Sequence, residues 1–193
     1  MIDAVFFDCF GVLFDMDTDL GAQCPPENRA EMAGVFARSD HGYITRDEFI
    51  AEVARLVGCP AEHFRCVLEQ AHVRNDALFA TIHQLRRQHP ALKIGLLSNV
   101  GDDTINRLFT EEDLALFDTC VLSHEEHITK PDPRLFAVAA ERLAVPIGRC
   151  MMIDDRVENC DGAEAAGMSA IQYTTVADME RDFRAYNILL NRG

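Results

Sequence analysis

Several short apolar runs punctuate this chain, and three of them end on a polar residue followed by a turn or helix signal. Residues 4–7, AVFF, lead directly to Asp8, and Gly11 then lets the backbone turn sharply. That is how a buried strand presents a carboxylate at its C-terminal end. Residues 93–99, KIGLLSN, repeat the pattern and end in a hydroxyl and an amide, Ser98 and Asn99. Residues 150–159, CMMIDDRVEN, end it in the paired carboxylates Asp154 and Asp155. Shorter strands are predicted at 117–122 and 169–173.

Between the strands the apolar period lengthens to that of a helix. One helix is predicted from Asp76, its expected cap, with Leu78, Phe79, Ile82 and Leu85 inward and closure near His89 and Pro90. Asp102 or Asp103 is expected to cap another, running through Leu108. Pro131 opens a helix over 131–143, placing Lys130 just before it, with Leu135, Phe136, Val138 and Ala139 towards the core. The last two run over 157–166, ended by Gly167, and over 177–190. Alternating strands and helices predict an α/β fold: a Rossmann-like, mainly parallel sheet with right-handed crossovers and helices on both faces. In such a sheet the strand C-terminal ends gather along one edge, where ligands bind.

The alternation is interrupted once. After Pro25 and Pro26, with Glu27 in the first turn, the pattern to about Arg74 is helical. Thr45 and Glu48 form a capping-box signature ahead of Phe49, Ile50, Val53, Leu56 and Val57, and Gly58 ends that segment. A further amphipathic helix is predicted over 59–73. The expected organisation is a core of 1–14 and 76–193, with 15–75 as a small all-helical cap.

Composition narrows the function classes. The 193 residues suit one such domain, with 18 Lys and Arg against 32 Asp and Glu, a formal net charge of -14. That surface repels nucleic acid and anionic membranes, and no basic run offsets it. A phosphate ester would meet the same repulsion, so a phosphate site needs a cation and local donors. Seven cysteines form no CxxC pair. With Asp3 and Asp8 interrupting the N-terminal apolar residues, no secretory leader is expected, and the reading is a cytoplasmic protein with free thiols. No apolar run approaches the ~20 residues of a membrane span. Oligomeric state is not legible.

Asp8 with Gly11, Ser98, Lys130 with Pro131, and Asp154 with Asp155, in this order, resemble the four motifs of the haloacid dehalogenase-like hydrolases. Each is weak alone: a serine at a strand end is often structural, and an aspartate before a helix often caps it. Their order and spacing carry the resemblance. It implies that Asp8 is a nucleophile attacking phosphorus in line, and that the resulting acyl-phosphate is hydrolysed by water. Ser98 and Asn99 would donate to phosphoryl oxygens, and Lys130 would meet the developing charge. It further implies Mg²⁺ held by Asp8, the carbonyl of Phe10 and Asp155, with Asp154 standing behind them. Asn159, one turn beyond Asp155, is a candidate to orient Asp155 or Lys130, or a surface residue. The expected substrate is a small phosphorylated metabolite.

Phe10 departs from that pattern. Phosphatases of this family usually carry there a second aspartate that protonates the leaving group and then activates water. An aromatic instead resembles the dehalogenase branch, in which the carboxylate attacks carbon and needs no acid. Asp154 and Asp155 argue against that branch, which uses no metal. Two alternatives stay open: a 2-haloacid dehalogenase-type hydrolase, and a degenerate protein that binds ligand without turnover. A second register, Asp15 as nucleophile with Asp17 as acid, restores the carboxylate pair but lacks the following glycine, so the Asp8 register is preferred. In the Asp8 register, Asp15 or Asp17 is a candidate substitute acid. Asp15, Asp17 and Asp19 also imitate a calcium loop, which Leu20 at the sixth position and Pro26 at the twelfth rule out. His124 and His127 are read as a solvated loop rather than a zinc site. Cys9 should face away from Asp8 by strand alternation.

Overall fold

A computed structural model describes residues 1–16 and 24–190. In chain order the elements are β1 (Ala4–Phe7), β2 (Phe14–Met16), α1 (Arg29–Asp40), α2 (Arg46–Val57), α3 (Ala61–Gln70) and β3 (His72–Arg74). Then come α4 (Asp76–Gln88), β4 (Lys93–Ser98), α5 (Thr104–Leu108), α6 (Glu111–Leu114), β5 (Thr119–Leu122) and α7 (Ser123–Glu126). The chain closes with α8 (Pro133–Arg142), β6 (Cys150–Asp154), α9 (Val157–Ala166), β7 (Ser169–Gln172) and α10 (Val176–Phe183).

Five strands form one parallel sheet in the order β5-β4-β1-β6-β7, so the chain runs outward from β1 on one side and then returns to the other. The strand order reverses between β1 and β6, which makes their C-terminal ends a switch-point crevice. Alternation along the strands builds two apolar layers. Val5, Phe7, Ile94, Leu96, Met151 and Ile153 face α4 and α10, while Ala4, Phe6, Leu97 and Met152 face α8 and α9. The expected α/β architecture is the observed one.

The helices α1 to α3 close over their own apolar cluster, which includes Val35, Ile50, Val53, Leu56 and Phe64. The Thr45–Glu48 capping box forms in both directions, and Gly58 ends α2 at φ +76°. This segment is not all helical. The helix expected over 59–73 stops at Gln70, and His72–Arg74 instead pairs antiparallel with Phe14–Met16. That two-stranded ribbon ties the chain leaving β1 to the chain returning into α4.

Other boundaries move for identifiable reasons. Asn75, not Asp76, caps α4, because its Oδ1 accepts from the Leu78 amide while its Nδ2 reaches the Val12 carbonyl and Tyr173. Asp103 stands at the start of α5, but its carboxylate pairs with Arg107 instead of capping. The helix after Lys130 starts at Pro133, capped by Asp132, and not at Pro131. The strand expected from residue 117 begins at Thr119 and follows the short helix α6. The final helix ends at Phe183, and Asn187 in the left-handed region closes the turn after it. His124 lies in the short helix α7 and not in a loop; its ring meets the Val100 carbonyl, and that of His127 meets the His41 carbonyl.

Candidate active site

Asp8 follows β1, the central strand, at the switch point. Behind it the backbone folds into a tight turn in which the Leu13 and Phe14 amides both donate to the Cys9 carbonyl. Gly11 makes that turn at φ +75°, and a Cβ there would lie 2.5 Å from the carboxyl carbon of Asp155. Glycine therefore provides both the left-handed conformation and the room for a neighbouring carboxylate. Cys9 points into the core, as alternation requires, and burial pushes its thiol well above the usual range. It is an inert neighbour.

Three donors converge on Asp8 Oδ1: the Ser98 hydroxyl at 2.6 Å, the Cys9 amide at 2.7 Å and the Lys130 ammonium at 3.0 Å. Ser98 comes from the end of β4. Lys130 comes from the loop between α7 and α8, and its side chain is fully buried. Each of its three N–H bonds has an acceptor: Asp8, Asp154 Oδ2 at 2.6 Å and the Leu97 carbonyl at 3.0 Å. Burial pulls the Lys130 ammonium down, but the carboxylates of Asp8 and Asp154 outweigh it and hold its pKa above the ordinary value. Burial pushes Asp8 up to about 6; Lys130 opposes that rise and Asp154 adds to it.

Asp154, at the end of β6, is wholly buried and committed to the protein. Its Oδ2 takes Lys130, and its Oδ1 accepts from Asn159 Nδ2 at 2.9 Å and the Arg156 amide at 3.1 Å. Asn159 therefore orients Asp154; it is neither a surface residue nor a partner of Asp155 or Lys130. Asp155 is half-buried beside Gly11, and burial followed by the charge of Asp154 raises its pKa. Asn99 carries a structural task that the sequence pattern does not indicate. Its side chain grips the Lys130 backbone at both ends, Nδ2 to the carbonyl at 2.9 Å and Oδ1 from the amide at 2.8 Å. It anchors the lysine loop with one Nδ2 N–H and leaves the second free to serve as the expected phosphoryl donor, and Asn99 also lines the cavity beside Phe10.

One carboxylate oxygen from each of Asp8, Asp154 and Asp155 falls within 4.8 Å of the others. Three carboxylates against one ammonium leave two negative charges in a crowded space, and all the ligand atoms are hard oxygens. A divalent cation of the magnesium type fits that set in charge and in chemistry. Phe10 stands at the mouth of the crevice, its ring stacked on His72 at 5.3 Å. Beside it opens a cavity of about 200 Å³ whose lining includes Phe10, Asp40, Arg46, His72 and Asn99 together with the apolar Phe36, Phe49 and Leu68. No motif or period marks Asp40 or His72, since both lie in segments whose facing is set by how α1 and β3 pack. Asp15 is exposed on β2, paired with Val73 in register, outside the carboxylate cluster. Asp17 lies outside the described residues.

A family model described as haloacid dehalogenase-like hydrolase matches residues 2–167. The chain is 23% identical over 188 residues to a drimenol cyclase of Aspergillus calidoustus, covering 94% of this chain but 36% of that protein. It thus spans about a third of the length of that relative, and 19% of the next. A sesquiterpene phosphatase of Aspergillus oryzae is 22% identical, with 89% of both chains covered. Among solved structures, a HAD family enzyme of Bacteroides thetaiotaomicron complexed with magnesium and inorganic phosphate superposes at a TM-score of 0.77, with 23% identity, 95% of this chain and 100% of that one. An L-2-haloacid dehalogenase of Xanthobacter autotrophicus is more distant, at a TM-score of 0.62 and 18% identity over 97% of this chain and 84% of that one.

Proposed function

The chain belongs to the haloacid dehalogenase-like hydrolase family, and from that premise we propose that it is a magnesium-dependent phosphatase of a small phosphorylated metabolite. The observation that carries the reading is the convergence of Ser98 and Lys130 on one oxygen of Asp8, beside Asp154 and Asp155. The phosphatase name of the Aspergillus oryzae relative and the magnesium and phosphate bound by the Bacteroides enzyme are consistent with it.

In this reading Asp8 attacks phosphorus and forms an aspartyl-phosphate, which water then hydrolyses. Lys130 and Ser98 fix the orientation of the Asp8 carboxylate and would meet charge that develops on the phosphoryl oxygens. Asp8 and Asp155, with the Phe10 carbonyl, would hold Mg²⁺; Asp154 stands behind them, already engaged by Lys130 and Asn159. When bound, the ion supplies charge neutralisation and Lewis-acid polarisation at the phosphoryl group. The helices α1 to α3, as a cap, would exclude water and select the leaving group. The seven unpaired cysteines suit action in a reducing compartment such as the cytoplasm.

Phosphate release from a panel running from activated aryl and acyl phosphates to sugar phosphates tests this, with Mg²⁺ or chelator and with Asp8→Asn as background. Release that needs metal and is lost in Asp8→Asn supports the reading; no release above that background rejects it for the panel. Phe10 favours one second reading, attack on carbon with loss of halide. Halide release from 2-haloacids in the presence of chelator would establish that chemistry instead.

A further inference from the structure

An alkoxide is a poor leaving group, so hydrolysis of an alkyl phosphate needs a proton at the departing oxygen. Phe10 has none to give. The titratable residues lining the cavity beside it are Asp40, Arg46, His72 and the exposed Asp102; Arg46 keeps its proton, which leaves His72 and Asp40 as the partly buried groups able to exchange one near neutrality. His72 is a weak candidate: burial, then the charge of Arg46, holds its pKa below the ordinary value, and its ring is stacked on Phe10.

Asp40 is placed differently. It is the last residue of α1, half-buried, and among the described residues its carboxylate makes no hydrogen bond or ion pair. The buried aspartates Asp8, Asp113 and Asp154 are all paired. The end of α1 is seated on the loop that follows Ser98, since buried Ser39 packs against Gly101, where a Cβ would not fit. That contact fixes the end of α1, and Asp40 lines the same cavity as Phe10 and Asn99, near enough to Lys130 for their charges to interact.

We infer that Asp40 is the proton donor and acceptor of the hydrolysis, taking from the cap side the role that Phe10 cannot fill; this rests on the phosphatase reading above. In the first half, an Asp8 oxygen bonds to phosphorus and the bond from phosphorus to the leaving oxygen breaks. The leaving oxygen keeps that electron pair and takes the proton of the Asp40 carboxyl, releasing the alcohol. In the second half, the Asp40 carboxylate takes a proton from water as its oxygen bonds to phosphorus. The bond to Asp8 then breaks, its electrons return to the Asp8 carboxylate, and inorganic phosphate departs. Burial pushes the Asp40 carboxyl up to about 6, with His41, Arg156 and Lys130 opposing, so both protonation states are accessible near neutrality. Its position at a helix C-terminus disfavours the anion in the same direction.

The test compares Asp40→Asn and His72→Gln with native protein, reading kcat/KM with Mg²⁺ for p-nitrophenyl phosphate and for alkyl phosphates. Because kcat/KM reports steps up to the first irreversible one, it isolates leaving-group departure. Expected for Asp40→Asn is a loss of about 10²–10⁴-fold in kcat/KM on alkyl esters, with a much smaller change in kcat/KM on the aryl ester, whose phenolate departs without a proton. Its kcat should fall for both classes, because hydrolysis of the aspartyl-phosphate loses its base. His72→Gln should not reproduce that split. Equal effects of Asp40→Asn on kcat/KM for both classes, or the split appearing in His72→Gln instead, overturn the inference while leaving the phosphatase reading intact. A native protein that releases no phosphate from either class overturns both.

Discussion

Removing the ammonium of Lys130 should destabilise the fold in a way that depends on pH and on metal. In Lys130→Met the apolar stem is retained and the charge lost. Asp154, wholly buried, and Asp8, 6% exposed, then lose their shared cation. Deleting one partner of a buried ion pair costs about 3–5 kcal/mol. The lower end applies here, because Asp154 keeps the Asn159 and Arg156 donors and Asp8 keeps Ser98 and the Cys9 amide. For a domain of this size about 3 kcal/mol lowers Tm by roughly 6–12 °C. Protonation of the stranded carboxylates relieves the cost, so the deficit should be larger at about pH 8 than at about pH 5. Magnesium should raise the variant's Tm more than the native protein's, since the site has gained a net negative charge. Thermal unfolding at both pH values, with chelator and with Mg²⁺, measures this. Adding Asp154→Asn should recover about 1–3 kcal/mol through the coupling between the two side chains. A Tm change below about 2 °C in chelator at pH 8 would refute the reasoning, because the carboxylates would then not depend on the lysine for their burial.

Asn159→Ala removes the Nδ2 donor from Asp154, and magnesium affinity read by calorimetry should fall about 10–100-fold with the fold intact. Gly11→Ala forces a left-handed alanine against Asp155 and should cost at least about 1–2 kcal/mol in denaturant unfolding, with weakened magnesium binding alongside. Asp40 carries a raised pKa, so the native state holds its proton more tightly than the unfolded chain. Its carboxylate therefore costs nothing below the unfolded value and costs most once the pH passes about 6. Asp40→Asn should stabilise by on the order of 1–2 kcal/mol at about pH 7.5, after discounting for partial exposure, and by nothing at about pH 4; urea midpoints at the two pH values read the difference.

The parts of this site legible in the sequence are those set by strand ends. Asp8, Ser98 and Asp154 each follow an apolar run, and a parallel sheet brings such ends together whatever the helices do. Gly58 and Gly167 were legible as helix stops because a left-handed residue leaves few other choices. The ribbon of Phe14–Met16 with His72–Arg74 was not, since three residues a strand are too few for a period to show. The partner of Asn159, and the backbone contact that Asn99 makes, are not legible for a related reason. Spacing tells which residues lie one helical turn apart, but not which carboxylate an amide meets across two loops. Asp40 was silent because α1 has little contrast between its faces, so nothing marked its last residue as facing a crevice.

The central claim is covalent: phosphoryl transfer to Asp8. Acid-quenched turnover of an activated phosphate ester with Mg²⁺, followed by proteolysis and mass analysis, tests it directly. The account predicts a phosphoryl adduct on the peptide that carries Asp8, lost on chase with water and absent in Asp8→Asn. Phosphate release without such an adduct, or release that survives Asp8→Asn, would contradict it.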